Sequence, residues 1–342
     1  MPSRLCPNLT VLPLIPPAME YTNASTPTAS ASLPAARRAR RRNGVFIPEP
    51  SDEFVVTDAI ERVNKRCLAY LHAGYPVHLT GIAGTGKTSL AFHIASQLDQ
   101  PAVLLHGDNE FGRSDLVGGE IGYRKSKVVD NFIRSVLKTS EQVTKVWEEK
   151  RLAKACREGY TLIYDEFTRS QAEANNVLLS ILEERILNLP SRSGTGDDYI
   201  RVHPNFRAIF TSNTAEYAGT HDTQSALLDR LVTVELSHPN RETEVQIAQS
   251  RSAISAVAAE HLVDVVRAIR AEMDGPQGPS VRASIMLARV FAQNEADIDP
   301  QSDFFRDVCV DVLRPSRTAR AQQDEAVVRQ RVNDAIQAVF GS

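Results

Sequence analysis

Short apolar runs and longer amphipathic runs alternate along most of this chain. Pro76-Val77-His78-Leu79-Thr80, Ala102-Val103-Leu104-Leu105-His106, Thr161-Leu162-Ile163-Tyr164, Phe206-Arg207-Ala208-Ile209-Phe210-Thr211 and Leu231-Val232-Thr233-Val234-Glu235-Leu236 have the length and composition of strands. Ile60, Val63, Cys67 and Leu71 keep helical spacing, with Asp58 as the expected cap, Glu61 three residues on, and Gly74 as the stop. Ser89–Ala95 reads as a helix. Val177, Leu178, Ile181, Leu182 and Ile186 form another stripe, most simply core. A long helix is expected near 145–157, ahead of Gly159. Leu187–Ile200 sets Pro190, Gly194, Gly196 and Asp197-Asp198 between apolar flanks, the pattern of a β-hairpin insertion. From Arg241 onward the pattern is helical. Asn240 caps a first helix, a second spans roughly 253–272, and Ser280 caps a third after a Gly/Pro-rich loop. Val327, Val328, Val332, Ile336 and Val339 line a last helix over 322–340.

Residues 1–50 break this pattern. They are rich in Pro, Ala, Ser and Thr and lead into Arg37-Arg38-Ala39-Arg40-Arg41-Arg42. Such a segment buries too little apolar surface to offset its ordering entropy, so a disordered arm is expected over 1–44. A solvated tail or weak anion-binding arm fits it better than an organelle transit peptide. Val11-Leu12-Pro13-Leu14-Ile15-Pro16 is too short and too proline-broken for a secretory core.

Composition narrows the function classes. The chain has 342 residues, room for one large or two modest domains, and a net charge of −3 that gives no general case for nucleic acid or membrane. Its four cysteines, Cys6, Cys67, Cys156 and Cys309, form no C-x-x-C pair, which disfavours zinc and redox motifs and suits a reducing cytosol. The eight histidines show no metal-ligand spacing, and no apolar run approaches a membrane span.

The chemistry concentrates after the first strand. Gly81-Ile82-Ala83-Gly84-Thr85-Gly86-Lys87-Thr88 reads G-x-x-x-x-G-K-T, a phosphate-binding loop, and it lies between a strand and the helix that Ser89 opens. Glycines let backbone N–H groups curl around phosphate oxygens, and the helix N-terminus adds positive potential. Lys87 is expected on the β- and γ-phosphates and Thr88 on Mg²⁺. Asp165, at the end of an apolar strand, is expected to complete the Mg²⁺ shell, with Glu166 orienting the attacking water. A plain strand-to-loop step gives the same Asp-Glu pair, and only the phosphate loop favours the catalytic use. Asn213, after the Phe206 strand, offers a second contact to water or γ-phosphate, where a turn residue would look the same. Arg230, before the last strand, suits charge neutralisation on a neighbour's nucleotide, against an ordinary Asp229–Arg230 surface pair. Arg282 lies in the first turn of a helix, where a cation opposes the dipole and so suits a facing anion, or plain solvent. Ser114–Tyr123 and Arg124-Lys125-Ser126-Lys127 read equally as a mobile substrate-touching loop and as a solvated turn. The guanine motif N-K-x-D is missing after the loop, since the only Asn-Lys is Asn64-Lys65.

Taken together, GIAGTGKT, LIYDE, TSN and the arginine of LLDR resemble the AAA+ ATPases in content and order. DLVGGEIGY and the expected hairpin before Asn213 resemble the MoxR-like branch. HGDNEFGRSDLVGGEIGYRKSKVVDNFIRSVLKT and YDEFTRSQAEANNVLLSILEERILNLP are similar to its gas vesicle members. The resemblance covers residues 45–295. It implies an α/β fold, a parallel sheet flanked by helices and followed by a small all-helical lid. The implied division is an arm over 1–44, the nucleotide-binding domain over 45–238, the lid over 239–296 and a helical extension over 297–342. It also implies ATP and Mg²⁺ as ligands, with Gly81 through Ser89 around the nucleotide and Thr88 and Asp165 at the metal. Lys87 binds phosphate, Glu166 activates water, Asn213 is similar to sensor 1, Arg230 to the arginine finger and Arg282 to the sensor 2 arginine. The implied assembly is a homo-oligomeric ring in the cytoplasm, working as a remodelling or assembly chaperone on gas vesicle shell or accessory proteins. The rivals are a nucleotide-bound minor scaffold with little turnover and a nucleic-acid motor, whose only support is the Arg37–Arg42 arm.

Overall fold

The computed structural model describes residues 44–341 apart from 52, 111, 131–137, 190–198, 215–221, 274–277, 295–297 and 315–324. The expected arm, with its arginine run, lies outside the described residues. In chain order the elements are β1 (Val45–Phe46), α1 (Asp58–His72), β2 (Val77–Gly81), α2 (Lys87–Ser96), β3 (Ala102–His106), α3 (Arg113–Val117), β4 (Gly118–Asp130), β5 (Lys138–Glu149), α4 (Arg151–Glu158) and β6 (Thr161–Asp165). A short 3₁₀ turn (Phe167–Arg169) follows, then α5 (Ala172–Asn175), α6 (Val177–Glu183), β7 (Ile186–Asn188), β8 (Tyr199–Arg201), β9 (Arg207–Thr211), α7 (Asp222–Leu228) and β10 (Val232–Leu236). The rest is helical: α8 (Arg241–Ser252), α9 (Ala256–Glu272), α10 (Val281–Gln293), α11 (Asp303–Leu313) and α12 (Glu325–Phe340). Among the described residues, no helix is long and apolar enough to cross a membrane.

Among the described residues the main sheet has six strands in the order β1-β3-β6-β9-β2-β10. β1 pairs antiparallel at the edge and every other pairing is parallel. Parallel strands need helical crossovers, so both faces are covered, and alternate residues of one strand enter different cores. Ile163 and Ile209 join Val77, Leu79, Leu90 and Ile94 beneath α1 and α2. Leu162, Tyr164, Ala208 and Phe210 join Leu152, Leu178 and Ile181 on the opposite face. The carboxyl ends of β2, β6 and β9 come out side by side, the place where open α/β sheets bind ligands.

Several local expectations change. β4 and β5 form a long antiparallel ribbon, paired from Gly118↔Glu149 to Asp130↔Lys138 with an irregularity between Glu120 and Gly122. The expected loop at Ser114–Lys127 is therefore α3 followed by strand, and the expected helix near 145–157 begins only at Arg151. Val143, Thr144, Val146 and Trp147 are β-branched or aromatic and favour the extended chain once a partner strand is available. Thr57 rather than Asp58 caps α1: it is extended, and its carbonyl accepts the Glu61 N–H at 2.8 Å. The expected hairpin is present as β7 and β8, paired from Ile186↔Arg201 to Asn188↔Tyr199, and 190–198 lie outside the described residues.

Helices α8 to α12 share a third core around Leu262, Val266, Leu287, Phe291, Phe305 and Val332. Inside it Glu244 on α8 is fully buried. Arg270 on α9 donates to its two oxygens at 3.0 and 2.8 Å, Arg267 approaches at 3.4 Å, and the Ser284 hydroxyl on α10 donates at 2.7 Å. One carboxylate thus joins three helices. Burial alone pushes its pKa up. The hydrogen bonds from Arg270 and Ser284 and the charges of Arg270 and Arg267 outweigh burial and hold it below the usual carboxylate range. A depressed native pKa stabilises the fold above the unfolded value and loses that contribution as pH falls through the native one. Glu244→Ala leaves Arg270 buried without its partner and should cost about 3–5 kcal/mol in denaturant unfolding. In Glu244→Gln the acid-side loss of stability, which sets in below about pH 4.3, should be shallower than in the parent chain.

Candidate functional site

The site grows from the end of β2. All five residues of the strand are buried, and the chain turns directly from Gly81 into the loop that ends at Lys87. Lys87 is itself buried, and its ammonium donates to the carbonyls of Gly81 at 2.9 Å and Ile82 at 2.8 Å. The Thr85 hydroxyl donates back to Ile82 at 3.0 Å and tightens the loop. Ala83 through Ser89 wall a cavity of about 540 Å³. Gly84 has φ +82°, and a Cβ there would run into the Ser280 side chain at the start of α10. Only glycine suits that position, because the loop and the helical region meet there.

The acidic pair closes the other side. Asp165 Oδ1 accepts the Thr88 hydroxyl at 2.7 Å and the Thr211 hydroxyl at 2.5 Å. Thr211 in turn accepts the Glu166 N–H at 2.9 Å. Glu166 has φ +53°, a conformation a non-glycine residue adopts only when its surroundings impose it. The Gly107 N–H bond to the Asp165 carbonyl, 2.7 Å, helps to fix the same turn. The Glu166 carboxylate pairs with Arg169 at 2.7 Å, with both side chains partly exposed. His106, at the end of β3, lies 3.6 Å from Asp165 Oδ2.

Asn213 follows β9 and lines the cavity together with Glu166 and Thr211. Arg282 enters from α10, whose N-terminus is capped by Ser280 Oγ accepting the Arg282 N–H at 3.3 Å, and Arg289 lies about two turns further along the same helix. Phe54, Ile60 and Val63 form an apolar wall with Ile247 and Ile285 of the helical region. Two contacts hold the wall together: an ion pair between Glu53 and Arg251, and the Thr57 and Thr243 hydroxyls at 3.2 Å. Arg230 stands elsewhere. It does not line the cavity, and its guanidinium donates to Glu183 at 2.9 and 2.6 Å and to the Ala226 carbonyl at 2.6 Å. The loop residues, Asp165, Glu166, Asn213 and Arg282 are thus gathered at one place, and Arg230 is not.

Thr211, Arg169, His106 and the Glu53–Arg251 pair are absent from the sequence-based site. Thr211 alone left a signal: it ends the strand that leads to Asn213, and β9 lies beside β6 with Tyr164 opposite Phe210. The others depend on tertiary neighbours that no spacing reveals.

The AAA domain family, dynein-related subfamily, matches residues 76–231. The gas vesicle ATPase GvpN of Ancylobacter aquaticus is 46% identical over 301 residues, covering 88% of this chain and 84% of that protein. The gas vesicle ATPase GvpN of Haloferax mediterranei is 40% identical over 310 residues, covering 89% and 87%. Among solved structures, a RuvB mutant of Thermotoga maritima superposes with a TM-score of 0.50 at 18% identity, covering 86% of this chain and 85% of that one, a likeness of fold. With a phosphate loop, an Asp-Glu strand end and that degree of identity over most of its length, the chain belongs to the GvpN family of AAA ATPases.

Proposed function

We propose that this ATPase attacks the γ-phosphate of ATP with a water held by Glu166 and Asn213, and uses the cycle to remodel or assemble gas vesicle proteins. The observation that carries this is the Thr88–Asp165–Thr211–Glu166 chain of hydrogen bonds at the mouth of the phosphate loop. It brings the Thr88 hydroxyl to the Asp165 carboxylate, an oxygen pair suited to a metal ion, and holds Glu166 on the turn that follows Asp165. A threonine hydroxyl and a carboxylate are hard oxygen donors, and a few such protein ligands beside substrate phosphates suit Mg²⁺. When bound there, Mg²⁺ supplies positive charge to the phosphate oxygens. Lys87 exchanges its two carbonyl partners for phosphate oxygens. Glu166 accepts the proton of the water, Asn213 fixes the water's other side, and Arg282 meets the phosphates from the helical region, which acts as the lid.

Arg230 lies outside the lining of its own chain's cavity, which supports a role at a neighbour's nucleotide in a head-to-tail ring. The printed name of the relatives, gas vesicle ATPase, supports shell or accessory proteins as the client, and a place beside gas vesicles in the cytoplasm.

Steady-state hydrolysis with Mg²⁺ across a protein-concentration series tests the mechanism. Turnover per chain should rise with concentration and fall by about 100-fold or more in Glu166→Gln, with ATP affinity retained. Equal turnover in Glu166→Gln would sink the assignment. Arg230→Ala should lose turnover by a similar factor, and mixing it with Glu166→Gln should restore part of it, because one chain keeps the base and the other the arginine. No restoration would place Arg230 outside the reaction in trans. Gly84→Ala should weaken ATP binding by about tenfold or more, since backbone strain and the Ser280 encounter both oppose the loop geometry. Equilibrium nucleotide titration reads that change.

A further inference from the structure

Strand β2 carries a polar side chain that the phosphate loop does not use. Val77 and Leu79 face α1 and α2, so His78 and Thr80 face the opposite layer. His78 is 1% exposed, in a central strand whose environment normally asks for an apolar residue. It is fully engaged across two neighbouring strands. Nε2 lies 2.8 Å from the Ser212 hydroxyl, just past β9, and Nδ1 lies 3.1 Å from the Thr233 hydroxyl on β10. Ser212 also donates to Thr80 at 3.4 Å, and its backbone N–H bonds the Leu79 carbonyl at 3.1 Å. Each ring nitrogen faces a hydroxyl, so a neutral imidazole donates through one nitrogen and accepts through the other. Burial pushes the imidazole pKa down to about 4, so the ring is neutral near pH 7 and can hold both roles.

Two of the contacts of His78 each sit one residue from a group assigned to hydrolysis. Ser212 precedes Asn213. The ring of Phe167, which follows Glu166, meets the His78 ring edge-on at 5.4 Å and 89°. We propose that His78 is a positioning residue for the hydrolytic step, fixing Asn213 through Ser212 and Glu166 through Phe167. The inference rests on the roles of Glu166 and Asn213 given above. A purely structural cross-link of three strands would also bury a histidine here, and the two roles separate in their kinetics. The nucleotide is gripped by the loop at the far end of β2, so a positioning defect lowers kcat and leaves ATP affinity in place.

The test compares full-length His78→Phe, which keeps a ring of similar size without either hydrogen bond, with His78→Gln, which restores a donor and an acceptor. ATP turnover, ATP dissociation constant and thermal midpoint are measured for each, beside Glu166→Gln. Expected for His78→Phe is a kcat lowered by about ten- to hundredfold with an ATP dissociation constant within about twofold of the parent, and substantial recovery of kcat in His78→Gln. A folded His78→Phe with kcat within about twofold of the parent overturns the proposal, as does a parallel loss of kcat and affinity in both variants. If His78→Phe does not fold, Ser212→Ala removes only the hydroxyl between His78 and Asn213 and carries the same two outcomes. Turnover lost in Glu166→Gln but normal in His78→Phe overturns this inference alone. Turnover retained in Glu166→Gln overturns the reading beneath it and this inference with it.

Discussion

One carboxylate oxygen collects three parts of the chain. Asp165 Oδ1 accepts a hydroxyl from the helix that follows β2 and another from the end of β9, while its own strand lies in the same sheet. A nearly buried carboxylate is costly unless its lone pairs are met, so this meeting is a condition of placing Asp165 there at all. It is possible because β6 neighbours β9 and β9 neighbours β2, all parallel, with their carboxyl ends at one level. Thr211 serves twice, donating to Asp165 and accepting from the Glu166 N–H, so the position of one acid is tied to that of the other. The left-handed backbone at Glu166 costs roughly 1–2 kcal/mol, and this bonded turn is what offsets it.

The helical region is coupled to the loop by a similar chain of contacts. Glu244 joins α8, α9 and α10, and Arg270, one of its partners, also donates to the Pro279 carbonyl at 2.6 Å. Pro279 precedes Ser280, the cap of α10 and the neighbour of Gly84. From the buried carboxylate to the phosphate loop, every link is a hydrogen bond or a direct contact between packed elements. A short connection, Ser237 to Asn240, joins β10 to the first helix of this region. His238 lies in that connection and lines the cavity, with its pKa pushed down first by burial and then by the Arg270 charge.

Most of the sheet was legible because buried parallel strands are short apolar runs, and the phosphate loop because its glycines and lysine sit at fixed spacing. The caps at Asn240 and Ser280 were legible for a local reason too: their side chains bond N–H groups two or three residues on. The β4–β5 ribbon was not. Its glycines look like loop punctuation, and its second half mixes charged and β-branched residues that suit a helix or a strand until the antiparallel partner decides. The site's supporting residues were hidden for a different reason. Thr211, Ser212 and His78 are ordinary letters in or just past their strands, and they become specific only through the lateral order of the sheet, which no single strand encodes.

The placement of Arg230 poses a question of energy rather than of distance. If Arg230 acts at a neighbour's nucleotide as proposed, its guanidinium must give up Glu183. Had that pair been buried, the separation would cost several kcal/mol. The Glu183 side chain is 59% exposed and that of Arg230 32%, so water screens the pair and its breaking costs on the order of 1 kcal/mol or less. A phosphate in a closed interface offers a bidentate, more highly charged and less hydrated partner. On the role proposed for Arg230, the exchange would be downhill only with a neighbour's nucleotide present, and the Glu183 pair would hold the arginine until then. A surface ion pair that adds little to the stability of one chain is, on this argument, well suited to a residue that has to work on the next.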